Sequence, residues 1–159
     1  MEIYQARSPE AWHQVERLIR AYLAELTFEI DFQDLDRELD ALANEYGPPH
    51  GAALLAYDKA EPTTDAIGVV GIRRFDDLDG ELKRMYVSPQ ARGLGVGRAL
   101  CEAAVVKARS LGYERLLLDT VDTMAAAIAT YASLGFEEIE AYRHNPLPGA
   151  RYFALRLVS

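Results

Sequence analysis

The sequence predicts a mixed α/β fold, in which about seven strands form one mixed sheet and about four helices cover both of its faces. Several segments carry apolar residues at helical spacing. Short apolar or alternating runs between turn signals indicate strands. The predicted elements follow the order β-α-α-β-β-β-α-β-α-β-β, and a glycine-rich segment joins the fourth strand to the third helix.

The first strand, Glu2–Ala6, precedes a helix that begins after Ser8 as N-cap and ends near Leu26. The apolar face of this helix carries Trp12, Val15, Leu18, Ile19, Tyr22, Leu23 and Leu26. The pattern breaks at Phe28–Asp34. A second, acidic helix is predicted at about Leu35–Glu45.

Three strands follow, separated by turns rich in Gly, Pro and Asp. The segment Gly47–Gly51, rich in Gly and Pro, ends the preceding helix, and polar turns lie at Asp58–Asp65 and Asp76–Gly80. The predicted strands are Ala52–Tyr57, Ala66–Phe75 and Glu81–Val87.

The third helix carries apolar residues on one face and ends at Gly112, a position where glycine is typical of helix C-termini. The remaining elements are a strand at Tyr113–Thr120, a helix at Asp122–Leu134, a strand at Phe136–Glu140, a loop at Tyr142–Gly149 and a last strand at Arg151–Leu157.

Composition limits the class of protein. A chain of 159 residues suits a single domain spanning residues 1–159. A net charge of −8 argues against a nucleic-acid surface. No apolar run is long enough to span a membrane, and the N-terminus lacks the pattern of a signal peptide, so we expect a cytoplasmic protein with no membrane partner.

The segment from Arg92 to Arg98 contains three glycines at alternate positions, where strand becomes helix. Glycines allow a ligand to approach the backbone closely, and the first N–H groups of a helix lack intrahelical partners. Together they predict an anion site suited to phosphate. A P-loop would need Lys-Ser or Lys-Thr after the glycines, and the third glycine position of a dinucleotide fingerprint is occupied by Arg98, so both nucleotide alternatives are weak.

The stretch Gln90-Ala91-Arg92-Gly93-Leu94-Gly95 resembles the acyl-CoA pyrophosphate loop, Q-x-x-G-x-G, of the GNAT superfamily of N-acetyltransferases. The preceding LKRMYVSP and the following amphipathic helix match as well. The segment from Ala127 to Phe136 is similar to the AxxxYxxxGF segment of that family. These motifs occupy roughly Glu81–Glu138, and the first half of the chain matches only in the order of its elements.

The resemblance implies a twisted, mostly antiparallel sheet whose fourth and fifth strands splay apart to hold pantetheine. It implies acetyl-CoA as cosubstrate, a small-molecule or peptidyl amine as acceptor, and the homodimer that is common in the family. The residues it places at the cofactor are Met85, Tyr86, Val87, Arg92, Gly93, Leu94, Gly95, Val96, Gly97, Arg98 and Met124.

Two residues match positions where the family places catalytic groups. Tyr131 matches the tyrosine that returns a proton to the CoA thiolate, although its spacing equally fits a core tyrosine on an amphipathic helix. Glu81 stands at the start of the fourth strand, where several members place a glutamate base that acts directly or through water; a solvated turn residue is the alternative.

Other residues around the predicted site have more ordinary interpretations. Methionine at position 124 replaces an asparagine common in the family and cannot make its amide hydrogen bond. Asp119 and Asp122 could bind a cationic substrate, but strand-end and helix N-cap roles are the simpler expectation. The histidines show no metal-ligand spacing, so no metal site is expected.

The sequence thus predicts an N-acetyltransferase in which an amine attacks acetyl-CoA directly within a ternary complex. The acceptor pocket is expected between Phe28–Tyr46 and Tyr142–Arg151, on family architecture alone. The alternative from another class is an acyl-CoA-binding regulatory module without turnover.

Overall fold

The computed structural model describes residues 1–26, 32–58 and 65–158, with the backbone alone at residues 32–34. Within these ranges the chain forms seven strands and five helices. The strands are β1 Glu2–Gln5, β2 Ala52–Tyr57, β3 Gly68–Arg74, β4 Asp79–Val87, β5 Arg115–Val121, β6 Glu137–Ile139 and β7 Ala150–Arg156. The helices are α1 Pro9–Glu25, α2 Phe32–Asp40, α3 Leu42–Tyr46, α4 Val96–Ser110 and α5 Ala125–Ser133.

The strands form one sheet in the order β1-β2-β3-β4-β5-β7-β6. Neighbouring strands are antiparallel except for β4 and β5, which run parallel and pair at three positions, Asp79↔Arg115, Gly80↔Leu116 and Glu81↔Leu117. Beyond these positions the two strands diverge. The mixed sheet and the splay between the fourth and fifth strands are therefore confirmed.

A β-bulge interrupts β4 just after the splay begins. Val69 pairs with Tyr86 and Gly71 with Lys83, so two steps along β3 match three along β4. Arg84 takes up the extra residue at φ +59°, in the left-handed region. The bulge reverses the alternation of side chains, and Leu82 and Tyr86 consequently pack into cores on opposite faces of the sheet.

Helices cover both faces, as predicted. On one face α4 packs its Leu100 and Ala104 against Val70 and Ile72 of β3. On the other, α1 and α3 pack against Leu55 and Val69 among others. The approach of α4 requires glycine at position 68, because a Cβ there would lie 2.8 Å from Leu100 Cδ1.

Several local predictions were wrong, and β3, β5 and α5 each begin two or three residues later than predicted. The predicted second helix is two helices, α2 and α3, separated at Ala41, where φ is −133° and ψ is +34°. The helix also begins at Phe32, inside the predicted break. Strand β4 begins two residues earlier than predicted, because the Asp76 carboxylate accepts hydrogen bonds from the N–H groups of Leu78 and Asp79 and closes a shorter turn.

Two further expectations concern turns and caps. Residues 28–31 of the predicted break and residues 59–64 of the turn Asp58–Asp65 lie outside the described residues. Asp122 does not cap α5, since that helix begins at Ala125 with Met124 at its N-cap. In the part of the chain that the structure describes, no helix is both long and apolar enough to cross a bilayer.

Candidate active site

A cleft of about 650 Å³ opens beside the splay. Four segments line it: the end of β4, the glycine-rich turn before α4, the last turns of α1 and the start of α5. Its volume lies within the range of small-molecule and cofactor sites, roughly 300–1,000 Å³.

The glycine-rich turn presents its backbone to this cleft. Gly93 and Gly95 adopt φ of +80° and +81°, a conformation that favours glycine, and Gly95 is the N-cap residue of α4. The N–H groups of residues 93–98 donate no hydrogen bond within the described ranges, and the first donor after them is Ala99, whose N–H binds Gly95 O at 3.1 Å. Consecutive unpaired N–H groups at a helix N-terminus form a binding site for an anion.

Most of the cofactor residues implied by the resemblance line this cleft, namely Met85, Tyr86, Val87, Arg92, Gly93, Gly95, Val96, Gly97, Arg98 and Met124. Leu94 does not, and the residue is 71% exposed.

The two arginines of the turn have internal partners. Arg92 binds the Glu25 carboxylate at 2.8 Å and Val87 O at 3.0 Å. Arg98 binds Glu102 at 3.0 Å and the Ser133 hydroxyl at 2.6 Å. Each guanidinium group thus has two of its nitrogens engaged, whereas the backbone N–H groups of the turn have no partner within the described residues.

Glu25, at the C-terminal end of α1, is a residue of the cleft that the sequence analysis missed. Hydrogen bonds from the Tyr86 hydroxyl and then from Arg92 hold the pKa of Glu25 below its ordinary value. An acid in the last turn of a helix opposes the helix dipole, so it calls for such partners. An acid at this unfavourable position is the feature of the sequence that could have identified Glu25 as a residue with cationic or hydrogen-bonding partners.

A second, smaller cleft of about 80 Å³ adjoins the first, and both are lined by Tyr22, Met85, Met124 and Ala127. The smaller one is lined in addition by Leu82, Lys83, Arg84, Leu118, Asp119, Thr120 and Tyr131. The end of the large cleft and the whole small cleft thus meet at the splay.

Tyr131 projects from α5 into the small cleft and is 5% exposed. Its hydroxyl makes no hydrogen bond with the described residues, and burial raises the pKa of this phenol. Tyr131 is therefore a protonated, unengaged donor beside the point where the two clefts meet.

Glu81 is fully buried and lines neither cleft. Its carboxylate accepts hydrogen bonds from Arg73 Nε at 3.1 Å, from Arg143 at 2.7 Å and from the Tyr142 hydroxyl at 2.7 Å. Two guanidinium groups balance its charge, and the contacts tie β3 and the loop at 142–149 to β4. The structure does not bring Glu81 and Tyr131 together.

The other charged residues at the splay are also paired. Lys83 Nζ lies 3.3 Å from Asp119 Oδ1, and Asn145 donates to Asp119 Oδ2 at 3.1 Å. On the α2 side, Arg84 binds Glu38 through two hydrogen bonds of 2.8 and 3.1 Å. The two regions expected to form the acceptor pocket, Phe28–Tyr46 and Tyr142–Arg151, therefore contact strands β4 and β5 next to the clefts through Glu38 and Asn145.

The cysteine Cys101 lines neither cleft. Cys101 is buried in α4, and burial raises the pKa of its thiol to about 12, which keeps it protonated. No three His, Cys, Asp or Glu side chains of the described ranges form a group that could hold a metal ion.

The sheet splays at two parallel strands, and a glycine-rich turn opens the helix that joins them; this architecture is the one that comparisons with known proteins assign to a family of transferases. The model of the acetyltransferase (GNAT) family matches residues 12–136, and the chain belongs to this family. It is thus an acyltransferase of the N-acetyltransferase type, as the names of its relatives also indicate.

Among its relatives is the uncharacterized N-acetyltransferase C1271.07c of Schizosaccharomyces pombe, 35% identical over 158 residues that cover 99% of this chain and 95% of that protein. A GNAT-family acetyltransferase structure from Staphylococcus aureus matches 99% of this chain and 100% of its own, with a TM-score of 0.79 and 22% identity. An aminoglycoside 6'-N-acetyltransferase complexed with coenzyme A matches with a TM-score of 0.72 at 16% identity, covering 100% of this chain and 98% of its own. These two structures share the fold.

Proposed function

We propose that this protein transfers the acetyl group of acetyl-CoA to a primary amine, on a small molecule or a peptide, by direct attack in a ternary complex. The observation that carries the proposal is the run of N–H groups at residues 93–98 without a partner in the described ranges, in a turn whose Gly93, Gly95 and Gly97 line a cleft that ends at the splay. A protein of the same fold was solved with coenzyme A bound.

The proposed cofactor site follows the lining of the large cleft. The N–H groups of the glycine-rich turn bind the pyrophosphate, and Arg92 and Arg98 border it with positive charge. The backbone of Met85–Val87, at the exposed edge of the splayed strand, binds the pantetheine amides. Met124 contributes apolar contact only, since its thioether is a poor hydrogen-bonding group.

The reaction requires an uncharged amine, a stabilised carbonyl oxygen and a proton for the departing sulfur. The amine nitrogen bonds to the acetyl carbon and releases a proton to water, the carbon–sulfur bond breaks, and Tyr131 donates its proton to the sulfur and regains one from water. A backbone N–H of the Met85–Val87 segment stabilises the developing negative charge on oxygen. The unengaged hydroxyl of Tyr131 and its place in the small cleft support this role.

For Glu81 we propose a positioning role, with any transfer of the amine proton to it running through water or the Tyr142 hydroxyl. Its complete burial and three hydrogen bonds support this interpretation, because no face of the carboxylate opens to either cleft. A direct base would need to touch the amine.

The test is release of free CoA from acetyl-CoA, measured with and without a panel of primary amines, together with mass spectrometry of the amines. Amine-dependent release with acetylated product supports the proposal. Binding of acetyl-CoA without amine-dependent release would identify an acyl-CoA-binding regulatory module instead. Displacement of acetyl-CoA by ATP or NAD would favour a nucleotide enzyme.

A further inference from the structure

Lys83 and Asp119 form an ion pair across the opening of the splay. The last paired positions of β4 and β5 are Glu81 and Leu117, and each member of the ion pair lies two residues further along its own strand. Because side chains alternate along a strand, both point to the face of the sheet that carries Glu81. Their side chains therefore span the gap where backbone pairing has ended, in the small cleft that Tyr131 also lines.

The pair is well removed from solvent. The side chains of Lys83 and Asp119 are 16% and 9% exposed. Burial lowers the pKa of Lys83, an effect that the charges of Glu81 and Asp119 oppose and those of Arg73 and Arg84 reinforce. A buried ion pair loses so much hydration that it contributes little to stability, and apolar residues would often serve as well. Because the pair lies in a cleft of the proposed active site, it points to a role in recognising the charged groups of an acceptor.

Resting on the acetyltransferase function proposed above, we propose that the acceptor is a zwitterion, an amine joined through one carbon atom to a carboxylate, as in an α-amino acid. Lys83 binds the carboxylate and Asp119 binds the ammonium group before it loses its proton. The acceptor thus replaces the internal pair with two pairs of its own.

The surroundings of the pair favour this exchange. Asn145 holds the second carboxylate oxygen of Asp119, so Asp119 stays in place when Lys83 moves away. The neighbouring cation Arg84 is held by two hydrogen bonds to both oxygens of Glu38, whereas Lys83 makes one hydrogen bond within the described residues, to Asp119. The volume of about 80 Å³ suits a small acceptor.

The same geometry disfavours amines without a carboxylate. An acceptor with only a positive charge would compete with Lys83 for Asp119 and leave Lys83 buried without a counter-charge. A site whose buried polar groups are left unpaired by an analogue rejects that analogue strongly. Lys83 is thereby a specificity-determining residue.

The experiment compares L-α-amino acids with their amides and their decarboxylated amines, which keep the amino group and lose the carboxylate. Binding to the protein–CoA complex is measured by calorimetry, and acetylation by kcat/KM. The variants are Lys83→Met, Lys83→Arg and, as a matched control, Lys107→Met on α4, which removes the same charge away from both clefts.

We expect the affinity and the kcat/KM of the wild-type protein to be about tenfold or more higher for at least one amino acid than for its amide and its decarboxylated amine. A difference of this size is typical of losing a hydrogen bond to a charged group. Lys83→Met should lose the preference, Lys83→Arg should retain part of it, and Lys107→Met should keep it. An unchanged affinity for CoA shows that each variant is folded.

Two results would overturn the inference while leaving the acetyltransferase function intact: wild-type protein that accepts amides and simple amines as well as amino acids, or a preference that survives in Lys83→Met. A wild-type protein that binds no acetyl-CoA would overturn the proposed function itself, and the acceptor inference with it.

Discussion

The Tyr142 hydroxyl donates a 2.7 Å hydrogen bond to Oε2 of Glu81, a side chain with no exposed surface. Arg143 binds the other carboxylate oxygen at 2.7 Å, and Arg73 binds it from β3 at 3.1 Å. The loop that leads into β7 is thus fixed to the vertex of the splay. The rings of Phe75 and Tyr152 pack edge-on against Tyr142 and complete this anchor.

Replacing Glu81 with Gln should lower the free energy of unfolding by about 3–5 kcal/mol, since it leaves two arginines facing a neutral amide. Urea denaturation measures the change. The matched control is Glu102→Gln, which removes one carboxylate from an exposed pair with Arg98 and should cost less than about 1 kcal/mol. A Glu81→Gln protein as stable as wild type but with a large loss of kcat would argue for a direct base.

Tyr131→Phe should lower kcat by about 10²–10⁴-fold, the usual contribution of a proton donor, with little change in stability or in acetyl-CoA affinity. The ring contact with Phe136 survives, and the lost hydroxyl makes no hydrogen bond within the described ranges. Steady-state kinetics and thermal denaturation check both parts. Tyr57→Phe, at a buried tyrosine outside both clefts, serves as control. Equal kcat values for the Tyr131→Phe and wild-type proteins would remove Tyr131 from the mechanism.

The environment of Glu38 predicts how the free energy of unfolding depends on pH. Burial, the largest single effect, disfavours its ionised form, but the hydrogen bonds and charge of Arg84 act together with the charge of Arg73 to lower the pKa of Glu38. A lowered pKa in the folded state contributes stability above the ordinary value of about 4.3, and that stability is lost as pH falls through the lower, folded value.

Glu38→Gln should therefore flatten the acid limb of the stability curve, measured by urea denaturation from about pH 6 down to about pH 3. The variant should also be less stable at neutral pH, because Arg84 keeps its charge and loses its partner. Curves for variant and wild type that run parallel through the acid range would refute the assignment to Glu38.

Gly68→Ala should destabilise the protein by about 1–3 kcal/mol, as overpacking does, because the new Cβ would meet Leu100 at 2.8 Å and Val96 at 3.1 Å. Gly97→Ala is the matched control: among the described residues its Cβ would meet Val87 alone, at an ordinary 3.7 Å, and alanine favours a helix. Chemical denaturation of both variants decides whether the close approach of α4 to β3 depends on Gly68.

Local signals in the sequence were sufficient for much of the fold. Strand β2 has the predicted bounds, Ala52–Tyr57, because a glycine stop and a polar turn enclose an apolar run. The start of α1 is confirmed by the Ser8 hydroxyl, which accepts a hydrogen bond from Ala11 N. Such features depend on residues close together in the chain, and sequence patterns record them.

Features created by distant contacts could not be predicted. The bulge places Arg84 at positive φ with no glycine to mark it, and the residue is held by Glu38, 46 positions away. The break between α2 and α3 keeps the same apolar spacing on both sides, so periodicity does not reveal it. The partners of Glu81 in the loop lie 61 and 62 positions away, which is why its burial was left open.

The central claim is that the glycine-rich turn binds the pyrophosphate of acetyl-CoA, and isothermal titration of wild type and Gly95→Glu tests it most directly. Gly112→Glu is the matched control, since both glycines have positive φ, +81° and +89°, and open space for a side chain, at opposite ends of α4.

We expect wild type and Gly112→Glu to bind acetyl-CoA with similar affinity. Gly95→Glu should weaken binding by at least about 100-fold, through the repulsion of like charges placed side by side. Equal binding by all three proteins, or no binding by folded wild type, would contradict the claim.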